Sequence, residues 1–373
     1  MKRLGLIINP IAGMGGRVGL KGTDGPEILE RAISLGATPM APHRATEALR
    51  SLRVNSTSAP EITTCPGEMG ERSAREARFN PEVIGRFPRR RTTSEDTKKA
   101  AKVLQERNVD LLLFVGGDGT ARDICESIDQ EISCLGIPAG VKVYSAVFST
   151  NPRVGGDLAA RYLDGEVPLI DAEIFDVDET EFRMDRISTR LYGYLRVPFH
   201  ASNLQIFKTT SPLNDDEVSA QDAIAKFVDE ELKDDWTYII GPGSTTAALG
   251  RRLGFEKTVL GVDVVRGRDL IGKDLSEKGI LELVEPGRTS IIVTPIGGQG
   301  FLFGRGNLQI SAEVIRRVGR ENIMVVATRH KIHSLKAKRL LVDTSDPELD
   351  RELAGYMKAV SGYREFTVLQ IST

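Results

Sequence analysis

Short apolar runs alternate with helically spaced stretches over the first 150 residues of the chain. Residues 4–8, 61–64, 82–84, 110–115 and 134–137 read as strands. The run Leu111-Leu112-Leu113-Phe114-Val115 has no polar position, as expected of a strand covered on both faces. Residues 27–35, 45–54 and 94–107 carry apolar residues at helical spacing, with Thr93 or Ser94 placed to cap the third. A further helix is predicted to open at Thr120 and to run from 121 to about 129. Strands separated by helices imply a parallel sheet with helices on both sides. The expectation is an α/β fold whose N-terminal domain, residues 1–150, is a doubly wound parallel sheet.

The pattern changes after Asn151-Pro152. Residues 172–178 and 190–198 alternate like strands of a β-rich insert, and 216–232 has the spacing of a long helix. From Trp236 the α/β rhythm returns, with strands predicted at 237–241, 259–264, 289–294 and 322–327 and helices at 245–253 and 311–318. Residues 151–373 are therefore expected to form a second, mixed domain, the insert first and α/β elements after it. A length of 373 residues, beyond one ordinary core, agrees with two domains.

Composition removes several classes of function. A hydrophobic share of 40% with 27% charged residues is that of a globular protein, and a net charge of −2 gives no basic field for nucleic acid or anionic lipid. No apolar run reaches the length of a membrane span, so no membrane association is expected. Three cysteines, Cys65, Cys125 and Cys134, are odd in number and read as reduced thiols of a cytoplasmic chain.

Chemistry concentrates where strands end. Gly116-Gly117-Asp118-Gly119-Thr120 follows the most apolar strand and precedes a helix. Glycines there let the backbone approach an anion, and a helix N-terminus favours negative charge. Asp118 beside a phosphate serves proton transfer or a metal, which makes it the candidate catalytic residue. Asn9, Gly13, Gly15 and Gly16 lie in a glycine-rich loop after the first strand, where amides can form an anion nest. Gly140, Lys142 and Ser145 follow another strand; Lys142 is placed to neutralise a phosphoryl group and Ser145 to donate to it. In the second half, Gly243, Ser244, Thr245 and Thr246 join a strand to an alanine-rich helix and are candidates for substrate binding. Ile296–Asn307 contains another glycine cluster, and His330 and His333 read as surface residues. No metal-ligand set is assigned.

Taken together these residues resemble the ATP-NAD kinase family, within the NAD kinase and diacylglycerol kinase superfamily. Gly116–Thr120 matches the superfamily's GGDGT motif, Asn9-Pro10 its N-terminal nucleotide loop, and Gly243-Ser244-Thr245 the GST core of the second-domain motif. Lengthwise the chain is most similar to the AcoX-like branch. Of the Asn-Glu or Asn-Asp pair with which NAD kinases hold the acceptor ribose, Asn214-Asp215 is the one literal match, in unlike surroundings. The resemblance implies a phosphotransferase that uses Mg2+ with ATP or another phosphate donor and places the phosphate on the ribose 2′-hydroxyl of NAD. The alternatives are a kinase of another small-metabolite hydroxyl and a non-catalytic nucleotide-binding regulator. Small-molecule nucleotides are the expected partners, and the chain is expected to be a homo-oligomer.

Overall fold

The computed structural model describes residues 2–20, 25–87, 92–128, 132–139, 143–177, 189–200, 215–296, 300–335 and 339–373. Two compact units emerge, Met1–Met14 with Gly22–Phe207 and Gly15–Lys21 with Lys208–Thr373.

The first unit is built on strands β1 (Arg3–Ile8), β2 (Glu61–Thr64), β3 (Glu82–Val83), β4 (Leu111–Gly116) and β5 (Cys134–Pro138), all parallel, in the order β3-β2-β1-β4-β5. Its helices are α1 (Pro26–Ser34), α2 (Ala41–Asn55), α3 (Glu71–Glu76), α4 (Ser94–Glu106), α5 (Asp118–Ser127) and α6 (Pro152–Leu163). Leu111 to Val115 are completely buried, as the unbroken apolar run requires. Thr93 caps α4 with its hydroxyl on the Asp96 amide, and the Asp96 carboxylate returns the bond to the Thr93 amide. From β1 the chain winds outward to β2 and β3 on one side, and later to β4 and β5 on the other. The order therefore reverses between β1 and β4, the place where such sheets bind ligands beyond the strands' carboxyl ends.

Two expectations need correction here. The break at Asn151-Pro152 is a helix cap, not a domain boundary: the Asn151 side chain accepts from the Val154 amide, and α6 packs against α2. A Cβ on Gly156 would sit 2.1 Å from the Ala48 carbonyl oxygen, so glycine is what permits that approach. The expected insert, β6 (Leu169–Val177) with β7 (Thr189–Pro198), is an antiparallel ribbon of this same unit. Its residues Ala172, Ile174, Leu195 and Val197 join the first core.

The second unit begins with α7 (Asp215–Glu231), β8 (Thr237–Ile240) and α8 (Ser244–Arg252). The chain continues through β9 (Asp263–Arg266), β10 (Asp269–Gly272), α9 (Glu277–Leu283), β11 (Thr289–Val293), β12 (Phe301–Phe303), α10 (Ala312–Val318) and β13 (Ile323–Val326). It ends with α11 (Arg329–Ser334), β14 (Arg339–Val342), α12 (Pro347–Leu353) and the hairpin of β15 (Gly355–Gly362) and β16 (Glu365–Ser372). The sheet is mixed, in the order β10-β9-β8-β11-β13-β15-β16-β14-β12. Strand residues alternate between two cores, Ile239, Ile291 and Val325 on one face and Ile240, Ile292 and Val326 on the other. The strand predicted at 259–264 is largely absent, since only Asp263 and its successors pair. The preceding segment is instead a turn wrapped around the buried side chain of Lys257, whose Nζ donates to the carbonyls of Thr258 and Gly261.

Candidate active site

Three turns of the first unit converge at the β1/β4 edge. The Asn9 amide donates to the Val115 carbonyl at 3.0 Å, and its side-chain Nδ2 donates to the Thr120 hydroxyl, also at 3.0 Å. The exit of β1 is thereby tied to the turn after β4. Ala139, leaving β5, donates its amide to the Gly116 carbonyl at 2.9 Å. Gly13 has φ +80°, and a Cβ there would lie 2.2 Å from the Ala139 carbonyl oxygen. Gly116 is required for a different reason, because its Cβ would fall 2.3 Å from the hydroxyl of Thr120, which folds back over it.

Helix α5 starts earlier than predicted. Gly117 is its extended N-cap, so Asp118, Gly119 and Thr120 form its first turn. The N–H groups of that turn have no acceptor within the helix, and the helix dipole adds to their attraction for an anion. Thr120 is thus not the cap; its hydroxyl is the acceptor for Asn9.

Asp118 is half-buried, and backbone amides hold its carboxylate. Tyr144 donates to Oδ1 at 3.1 Å and to Oδ2 at 2.9 Å, while Ser145 donates to Oδ1 at 2.8 Å. Two successive amides on one carboxylate fix its orientation. Burial, and then the Asp118 charge, push the Tyr144 hydroxyl well above the usual phenol range.

Several predicted roles change at this level. Ser145 does not offer its hydroxyl to a phosphate: it is fully buried and bonded to both the amide and the carbonyl of Phe175. Its contribution is the amide that grips Asp118. Gly15 and Gly16 fall in the second unit, where the missing Cβ of Gly16 makes room for Leu308, 2.3 Å from where that carbon would be. Gly140 and Lys142 lie outside the described residues, as does Asn214.

In the second unit, β8 ends at the predicted turn. Gly243, at φ +128°, donates its amide to the Val259 carbonyl at 2.8 Å. Of the three successive hydroxyls, only Ser244 reaches solvent; it accepts from Gln221 Nε2 at 3.3 Å. Thr246 is fully buried and donates to the Gly241 and Gly243 carbonyls, so it closes the turn and is not a substrate contact. Thr245 is buried as well.

Residues that pattern alone had not singled out complete this edge. Thr328, the cap of α11, donates to Glu217 at 2.8 Å, and Lys331 Nζ donates to the Thr294 hydroxyl at 3.2 Å. Thr294 and Thr328 each stand just beyond a parallel strand, β11 or β13, which is a signal legible in sequence. In the first unit Arg44, entirely buried, donates Nε to the Pro138 carbonyl at 3.1 Å and braces the exit of β5.

Residues 4–167 match the ATP-NAD kinase N-terminal domain and residues 233–371 the ATP-NAD kinase C-terminal domain. The chain belongs to the ATP-NAD kinase family. This kinase transfers a phosphate from ATP to a hydroxyl of NAD. The first matched span contains the whole Asp118 turn and the second the Gly243–Thr246 turn, so both constellations lie inside family domains. Neither span distinguishes the AcoX-like branch. No curated protein and no solved structure matches the chain.

The family uses nucleotides with a divalent metal. Among the described residues, no three His, Cys, Asp or Glu side chains gather as a metal set. A single carboxylate such as Asp118 fits a hard cation arriving on a nucleotide, which takes most of its ligands from phosphates and water and one or two from carboxylates. No helix among the described residues is long and apolar enough to cross a membrane.

Proposed function

We propose that this kinase phosphorylates the 2′-hydroxyl of the adenosine ribose of NAD, with Asp118 as the group that accepts the hydroxyl proton. The observation that carries the reading is the grip of the Tyr144 and Ser145 amides on Asp118, in the first turn of a helix at the point where the strand order reverses. Such an N-terminus attracts phosphate and tolerates a carboxylate, but a carboxylate beside a bound phosphate repels it unless it takes part in the chemistry.

The donor phosphates are received by the amides of Gly116, Gly117, Gly119 and Thr120 and by the Asn9–Gly13 loop, with Lys142 as the neutralising cation. Ser244, with Gly243 and Thr245 behind it, belongs to acceptor binding. As the ribose oxygen attacks the γ-phosphorus, its proton passes to the Asp118 carboxylate. The bond from the γ-phosphorus to the β–γ bridging oxygen breaks, and ADP departs with that electron pair. Positioning and electrostatic stabilisation supply most of the catalysis in such a transfer. Mg2+ entering on ATP would be held by phosphate oxygens and Asp118, and it supplies charge neutralisation there.

The test is product analysis with purified protein, ATP, Mg2+ and NAD. Formation of a dinucleotide that an NADP-specific dehydrogenase reduces supports the 2′ assignment, and a phosphorylated product that this dehydrogenase rejects refutes it. A cytoplasmic setting with reduced thiols and a homo-oligomeric state belong to the same proposal. Light scattering that returns the mass of one chain at micromolar concentration would remove the oligomer.

A further inference from the structure

The second unit contains an ion pair that neither reaction nor packing requires. Lys257 and Asp263 are both fully buried, with Nζ 3.8 Å from Oδ2. Lys257 Nζ donates to the carbonyls of Thr258 at 2.8 Å and Gly261 at 3.0 Å. Asp263 accepts from the Thr258 amide through Oδ2 and from the Asp274 amide through Oδ1, each at 2.8 Å. Between them the two side chains close a tight turn over residues 257–261.

That turn has one outward connection of consequence. The Val259 carbonyl at its apex accepts the Gly243 amide at 2.8 Å. Gly243 has a backbone conformation that other residues rarely adopt, and it is the N-cap of α8, immediately before the exposed Ser244. Bonds from two sides hold this glycine, the Ala247 amide also donating to its carbonyl at 3.0 Å. Thr246 takes its carbonyl from within the helix, and Val259 takes its amide from the adjoining turn. Removing two charges from water is costly, and apolar residues of similar volume would fill the same space at no such penalty. The retained charges are therefore explained by what they fix in place.

We propose that Lys257 and Asp263 are positioning residues for acceptor binding: by rigidifying residues 257–261 they hold the Val259 carbonyl where it sets Gly243 and aims Ser244 at the substrate. The inference rests on the reading of the Gly243–Thr246 turn as acceptor-binding.

The experiment compares three variants in steady-state assays with NAD and ATP varied separately, alongside thermal unfolding. Lys257→Met/Asp263→Leu removes both charges together and avoids a stranded ion in the core. It is expected to unfold within a few degrees of the native protein while KM for NAD rises about tenfold, the equivalent of about 1.4 kcal/mol. KM for ATP and kcat should stay within a factor of about three, the split that general destabilisation would not produce. A stable double variant with native KM for NAD overturns the proposal. If the double variant does not fold, Lys257→Met/Asp263→Asn keeps the volume and one acceptor oxygen without stranding the ammonium; its KM for NAD must rise at least about threefold, less than the loss of a whole hydrogen bond would give. An unchanged value again overturns the proposal. Ser244→Ala separates the two levels. If it leaves KM for NAD unaltered, the acceptor reading of the turn fails and takes the positioning role with it. If it raises KM while the charge-free variant does not, the positioning role alone fails.

Discussion

Replacing Asp118 by asparagine changes a proton acceptor into an amide of nearly the same shape, so its effects on folding and on chemistry can be worked out separately. From the Tyr144 and Ser145 amides the carboxylate accepts contacts at 3.1 and 2.8 Å on Oδ1 and 2.9 Å on Oδ2. With the amide oxygen at Oδ1, the two contacts there survive, and the single Tyr144 N–H, shared between both oxygens, loses only its Oδ2 arm. A whole hydrogen bond to a charged group is worth about 1.5–3 kcal/mol, so losing one arm of a shared bond in a half-exposed setting costs at most about 1.5 kcal/mol. For a unit of this size that is a fall in Tm of at most about 6 °C, which leaves the protein folded at assay temperature. Removing a general base costs about 10²–10⁴ in rate. At 1.36 kcal/mol per decade this is about 3–5 kcal/mol of barrier. The assay follows NADP formed from NAD and ATP with Mg2+, with circular dichroism on the same sample. An asparagine followed by Gly119 deamidates back to aspartate, so Asp118→Ala is measured in parallel on fresh protein. If the folded Asp118→Asn protein and its alanine counterpart both keep kcat within about tenfold of native, below the range for a base, proton transfer to this residue is not part of the reaction.

Three further outcomes follow from the same geometry. Gly13→Ala meets both a positive φ and the Ala139 carbonyl, whereas Gly25→Ala meets a positive φ and open space. The first should lower Tm by more than the second and raise KM for ATP; equal effects on Tm would show that the Ala139 contact is relieved at no cost. Thr246→Val removes the hydroxyl that donates to Gly241 and Gly243 from a buried position, a loss of about 1–3 kcal/mol read as Tm, while Ser244→Ala should leave Tm unchanged and raise KM for NAD. Burial pushes the Cys65 thiol from 9.0 up to about 12, so its neutral form favours the fold. That stability is whole below pH 9 and is lost as pH climbs toward 12, by at most about 4 kcal/mol, so the alkaline fall in Tm should be shallower in Cys65→Ala.

What sequence made legible was local. Leu111 to Val115 could only be a strand buried on both faces, and Thr93 or Ser94 marks a helix start, which the Thr93 cap bears out. Asp118 was legible as an acid among glycines. Its partners were not, because they are amides 26 and 27 residues further on, and a backbone N–H leaves no mark on residue type. The start of α5 was misplaced for a related reason. Thr120 looks like a cap, but the cap is Gly117, and the threonine hydroxyl is occupied by Asn9 from 111 residues away. Asn151-Pro152 misled because a cap followed by proline begins a helix equally well inside a domain and between domains.

The hydroxyl cluster shows where counting residues stops being a physical argument. Successive positions on a helix are turned by about 100°, so Ser244, Thr245 and Thr246 cannot all face one ligand. Their directions differ accordingly, with Ser244 outward, Thr245 into the packed interior, and Thr246 back onto the carbonyls of its own turn. The same division holds around Asp118, where Thr120 secures Asn9 and Ser145 secures β6 through its hydroxyl, leaving only the carboxylate half-open. In both units the polar residues beside a reactive or exposed group are mostly engaged in holding it still. A sequence rich in such residues at strand ends therefore overstates how many of its side chains are free to touch a substrate.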